Sequence, residues 1–129
     1  MKVLTIKQPY ASLISSGYKR YEFRSWKTKY RGEILIHAGA GIDKEAMKRI
    51  EDWKLDYPQK RIIAKVKIAD CLELNDELNK QICNSNSVIY GNKKRTGYVW
   101  KLENVKKLNI DKTINGKQGI WNYEGKIEY

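Results

Sequence analysis

One segment, Gly17-Tyr18-Lys19-Arg20-Tyr21-Glu22-Phe23-Arg24-Ser25-Trp26-Lys27-Thr28-Lys29-Tyr30-Arg31-Gly32, concentrates the side chains best suited to chemistry. Between Lys19 and Arg31 it carries six basic residues, one acid and four aromatics. Cations interleaved with flat rings suit a nucleic acid, because the charges track phosphates while ring faces stack bases. Glu22 and Arg24 are two apart and so share one face of a strand, and Lys19 lies just ahead of them at a turn. Three chemistries fit such a cluster. Glu22 could accept from an exocyclic amine while Arg24 forks onto oxygens. A desolvated Lys19 beside Arg24 could lose its proton and act as base or nucleophile, with Glu22 as proton carrier. The same three residues also suit an internal ion-pair network with no ligand.

The elements that must position them follow from periodicity. Val3 to Ile6 reads as a strand and Gln8 to Ile14 as a short helix with Pro9 near its first turn, ended by Gly17. Tyr21 to Trp26 alternates, with Tyr21 and Phe23 on one face and Glu22, Arg24 and Trp26 on the other. Glu33 to Ala38 is an apolar strand. Asp43 can cap a helix whose Met47, Ile50 and Trp53 form one buried stripe. Arg61 to Ala69 is the clearest strand, with Ile62, Ala64, Val66 and Ile68 predicted to face the core together. Leu74, Leu78 and Ile82 fit a further helix. Tyr98 to Leu102 is a strand whose apolar phase then slips to Val105, as a bulge near Glu103 and Asn104 would cause. The tail around Gly116 to Trp121 reads as a turn feeding a last short strand. Five or six short strands with two or three short helices predict an α+β domain, its mixed or antiparallel sheet curled into a small barrel.

The 129 residues are enough for one domain, predicted to span 1–129. The formal charge of +11 favours polyanionic partners, since neutralising phosphates releases counterions. No apolar run is long enough to cross a bilayer and the first residues carry no apolar leader, so a cytoplasmic location is expected, with no membrane partner. Two cysteines, Cys71 and Cys83, are too few for a disulfide scaffold and stand in no metal-ligand pattern. Neither a metal site nor another cofactor is expected. His37 has no second histidine to partner and reads as structural. Lys27, Lys29, Arg31 and the loop Lys93-Lys94-Arg95 are candidates for holding a polynucleotide backbone, and Thr28 for offering a hydroxyl to phosphate. Trp26 is the candidate stacking platform, whereas Trp100 reads as core.

Gly17, Lys19, Glu22 and Arg24 spell G-x-K-x-x-E-x-R, preceded by Gln8-Pro9-Tyr10-Ala11 and followed by Tyr30-Arg31-Gly32 and Ile36-His37-Ala38. With Asp70-Cys71, Gly97 to Val105 and Gly116 to Trp121, these ordered blocks resemble the ASCH family, the activating-signal-cointegrator homology domains. The resemblance implies a PUA-like fold, a small, curled, mostly antiparallel barrel with a cleft beside the Lys-Glu-Arg motif, and an association with RNA. It places Lys19, Glu22 and Arg24 in that cleft, with Tyr10 and Lys117 as candidates for its border. Small bacterial members hydrolyse acetylated cytidine with a Lys matching Lys19. They have Thr where this chain has Glu22, and they use a later Glu for which Glu73 and Glu103 are the available counterparts. The expected function is therefore binding of RNA or a nucleotide by Lys19, Glu22 and Arg24. Hydrolysis of a nucleoside or RNA by Lys19 and Glu22 is the second expectation, and a module docking an acidic protein the third.

Overall fold

The computed structural model describes residues 1–127. The chain runs β1 (Lys2–Gln8), α1 (Tyr10–Ser15), β2 (Tyr21–Arg24), β3 (Gly32–Ile42), α2 (Lys44–Arg49), β4 (Arg61–Glu73), α3 (Asp76–Ser85), α4 (Ser87–Tyr90), β5 (Tyr98–Lys107) and β6 (Ile120–Asn122). All six strands join one sheet in the order β2-β5-β4-β3-β1-β6. Every neighbouring pair is antiparallel except β1 with β3.

The sheet curls without closing. Neighbouring strands lie about 4.8 Å apart, so in a flat sheet β1 and β2, four places apart, would be separated by about 19 Å. Instead the ring of Tyr10, two residues after β1, comes within 5.5 Å of the Lys19 Nζ ahead of β2. The curled inner face buries Leu4, Ile6, Ile34, Ile36, Val66, Ile68, Trp100 and Leu102 around Ala11 and Ile14 of α1. Among the described residues β2 and β6 remain unpaired edges, so the barrel expected from the sequence is met as an open, curled sheet.

Three helix starts, those of α2, α3 and α4, are set by capping side chains. Asp43 accepts from the Ala46 amide and Asn75 from the Leu78 amide. Gln8, fully buried, serves α1 in the same way: its Oε1 accepts from the Ser12 amide at 3.0 Å, while its Nε2 donates to Pro58 O at 2.7 Å. The Gln8–Pro9 peptide is cis.

Bulges correct the simple alternation. In β4 an extra residue near Ile63 sits between the pairs Ile36–Ala64 and His37–Ile62. It turns Ile62 to the outer face, against Val3, Leu35 and Trp121, so Ile62 does not share a face with Ala64, Val66 and Ile68. In β5 the pairing steps from Glu103 to Lys106 while β4 steps only from Lys67 to Lys65, and Asn104 takes a φ of 53°. That extra residue is the phase slip expected near Glu103 and Asn104. Strand β4 also runs on to Glu73, and α2 is shorter than its predicted stripe. Ala46 within α2 and Ile50 at its C-cap are buried, while Met47 and Trp53 are only half-buried. A fourth helix, α4, exceeds the expected number; Asn86 caps it.

Candidate functional site

Residues Ile6, Lys7 and Tyr10 face Lys19, Glu22, Phe23, Arg24, Ile89, Tyr90 and Arg95 across a cleft of about 250 Å³. Each wall has a local cause. Gly17 adopts a φ of 83° at the end of α1, which lets the Lys19 amide turn back onto Leu13 O at 3.0 Å. The Lys19 side chain is thereby directed into the mouth of the curled sheet, where it is 3% exposed. Gly97 fixes the other side. A Cβ there would stand 2.7 Å from Arg24 O, so only glycine lets β5 approach β2 this closely.

Lys19 Nζ lies 2.9 Å from Glu22 Oε1 and donates to the Tyr21 carbonyl as well. Arg24 Nη1 reaches Glu22 Oε2 at 3.3 Å. The carboxylate therefore bridges two cations, with its side chain 7% exposed. Three rings surround the ammonium: those of Tyr10 and Phe23 at 5.5 Å and that of Tyr90 at 5.7 Å. Burial pushes the Lys19 pKa below the ordinary lysine value, opposed by Glu22 and reinforced by the nearby Arg95 and Arg24.

Tyr10 is held from outside the cleft. Its hydroxyl donates to Asp43 Oδ2 at 2.5 Å, and burial together with that carboxylate pushes its pKa up to about 12. Arg95 donates to the Tyr90 carbonyl, and its guanidinium lies 4.2 Å from the Phe23 ring centre. Among the described residues the cleft is thus bordered by four cations, Lys7, Lys19, Arg24 and Arg95, and by one carboxylate, that of Glu22.

The other predicted residues divide. Arg95 joins the cleft, whereas Lys93 and Lys94 stay exposed, Lys94 facing Asp76 at 3.7 Å. The loop 93–95 is therefore not one uniform basic surface. Thr28 is buried and its hydroxyl accepts from the Tyr30 amide at 3.1 Å, so it builds a turn rather than meeting a phosphate. Trp26 packs edge-on against Trp100 at 4.8 Å and its carbonyl accepts from the Trp100 indole, which places it against the core and outside the cleft lining. Trp100 is fully buried, as expected. Arg31 folds back onto the carbonyls of Thr28 and Tyr30 and faces Asp70 at 3.5 Å. Lys27 and Lys29 are exposed beside this turn. Lys117 sits over the Trp121 ring at 5.6 Å and does not border the cleft. Neither Glu73 nor Glu103 borders it either.

Sequence reasoning missed Ile6, Lys7, Phe23, Ile89 and Tyr90. Phe23 alternates with Glu22 and so reads as core, but on a four-residue edge strand both can reach one cleft. Tyr90 comes from α4, which gives no periodic signal at four residues.

The family model of the ASCH domain matches residues 4–112. Activating signal cointegrator 1 from Homo sapiens is 27% identical over 136 aligned residues, which cover 96% of this chain and 22% of that protein. The Mus musculus protein of the same name is 26% identical over the same shares. The chain thus spans about a fifth of the length of these relatives. The matched stretch contains α1, the Lys19–Glu22–Arg24 network and strands β2 to β5 of the curled sheet with most of β1, and the chain belongs to the ASCH domain family.

Proposed function

We propose that this protein binds RNA, with one unpaired base or nucleotide held in the cleft by Lys19, Glu22 and Arg24. The observation that carries the reading is the pairing of flat rings with surplus positive charge around one small cavity: Tyr10, Phe23 and Tyr90 with Lys7, Lys19, Arg24 and Arg95. At about 250 Å³ the cleft falls just under the roughly 300 Å³ at which pockets for larger ligands begin, which suits a single planar group. Rings offer stacking faces that every base can use. Glu22 keeps lone pairs beyond the two taken by Lys19 and Arg24 and can accept from an exocyclic amine. Arg24, partly exposed and on the longer arm of the network, is the cation free to turn onto a phosphate or carbonyl oxygen.

The test is binding of a fluorescent single-stranded oligoribonucleotide followed by anisotropy over a series of salt concentrations. Affinity should fall steeply with salt, and Arg24→Ala should weaken it by about ten- to a hundredfold. Binding that ignores salt and survives Arg24→Ala overturns the reading. So does conversion of acetylated cytidine to cytidine by the wild-type protein under the same conditions, which would make the cleft that of a hydrolase.

A further inference from the structure

We propose that a groove leading out of the cleft carries the phosphodiester backbone of a single-stranded polynucleotide, so that the ligand is a strand rather than a free nucleotide. The inference rests on the cleft reading above. Lys19 borders the cleft on one side and on its other side a groove of about 610 Å³, whose rim includes Gly17, Arg20, Lys101, Glu103 and Asn104. That groove shares Val66 and Asn104 with a third depression of about 270 Å³, flanked by Glu33, Lys65, Lys67 and Lys106. The three hollows follow one another across the mouth of the sheet and onto the outer side of β4 and β5.

The β5 bulge makes the passage. With one residue more than β4 opposite it and a left-handed φ at Asn104, β5 leaves the ladder locally, and the line from Glu103 to Lys106 is exposed. Along the path Lys101 and Glu103 stand 3.9 Å apart, and Glu33 pairs with Lys65 at 2.7 Å on the far flank.

The lining changes character along this path. The cleft holds three rings; the two grooves beyond it hold only Tyr21, whose ring packs edge-on against Tyr90. Besides Lys19, which the first of them shares with the cleft, they present Arg20, Lys65, Lys67, Lys101 and Lys106 against the carboxylates of Glu33 and Glu103. A surface without stacking faces but with surplus cations is matched to phosphates, and the neighbouring cleft to the base. Lys27 and Lys29, the backbone contacts expected from sequence, border neither groove.

Binding of the four nucleoside 5′-monophosphates and of mixed-sequence RNA and DNA oligomers of about ten nucleotides tests the path, using wild type and the variant Arg20→Gln, Lys67→Gln, Lys101→Gln. The oligomers should bind wild type more tightly than any monophosphate. The triple variant should keep monophosphate binding, which also verifies its fold. For oligomers its salt slope should fall by about 2, the loss expected for three single-strand phosphate contacts. Preference for RNA or for DNA among the oligomers identifies the strand. Equal affinity for monophosphates and oligomers overturns the path while leaving the cleft reading intact. So does an unchanged slope in the variant when Arg24→Ala weakens every probe. Absence of binding by every probe overturns both, and capture of an acidic peptide by these same cations in its place would assign the grooves to a protein.

Discussion

At the scale of single residues the unusual feature is a lysine almost fully buried with only one carboxylate to balance it and two further cations near by. Glu22 serves both Lys19 and Arg24, so removing its charge strands an ammonium in a place where burial already opposes protonation. Breaking a buried pair from one side is costly, because the remaining charge keeps its desolvation penalty without its partner. Glu22→Gln is expected to destabilise the protein by about 3 kcal/mol in chemical denaturation. Lys19→Met combined with Glu22→Gln should cost less than the two single changes together. Additive costs would show that the two side chains are not coupled, and the network would then lose its place as the centre of the cleft.

At the scale of elements, His37 ties the segment after β5 to the outer face of the sheet. The Trp121 indole donates to Thr5 Oγ1 at 3.0 Å, the Thr5 hydroxyl meets His37 Nδ1 at 3.2 Å, and His37 Nε2 donates to Ile114 O at 2.6 Å. This chain places the proton of a neutral imidazole on Nε2 and uses both ring nitrogens, as the structural reading of His37 anticipates. Burial pushes its pKa below the ordinary 6.5. In the unfolded chain His37 gains a proton near that ordinary value, whereas in the folded protein it does so only at lower pH. The unfolded state therefore binds more protons in the interval, and stability falls as the pH drops below about 6.5. Urea midpoints between about pH 7 and 5 should decline for wild type and decline less steeply for His37→Phe. Parallel curves would assign the loss to another group.

At the scale of the whole molecule, a formal charge of +11 works in opposite directions on folding and on binding. Self-repulsion opposes the compact state, so screening should stabilise it even as the same salt weakens attraction to a polyanion. Relief of about 1 kcal/mol would raise the thermal midpoint by roughly 4 °C. Calorimetry from low to physiological ionic strength should show that rise. A midpoint that falls with salt would mean that the ion pairs within the fold outweigh the repulsion between its like charges. Much of this protein was determined locally and is legible in the order of its residues: alternation made the strands, Gly17 ended α1, the slip near Asn104 marked the bulge, and the spacing of Lys19, Glu22 and Arg24 put one charge just ahead of β2 and two on it. Period-two and period-3.6 patterns report on neighbours along the chain, and those patterns survive without knowledge of the fold. Only the tertiary structure decided that the sheet stays open, that Ile62 faces outward, that Thr28 and Trp26 turn away from the cleft, and that Lys7, Tyr90 and Arg95 turn into it. Each of these depends on a contact between distant segments or on a one-residue bulge. A single inserted residue reverses every side chain beyond it, and a curled sheet brings strands together that no periodicity relates.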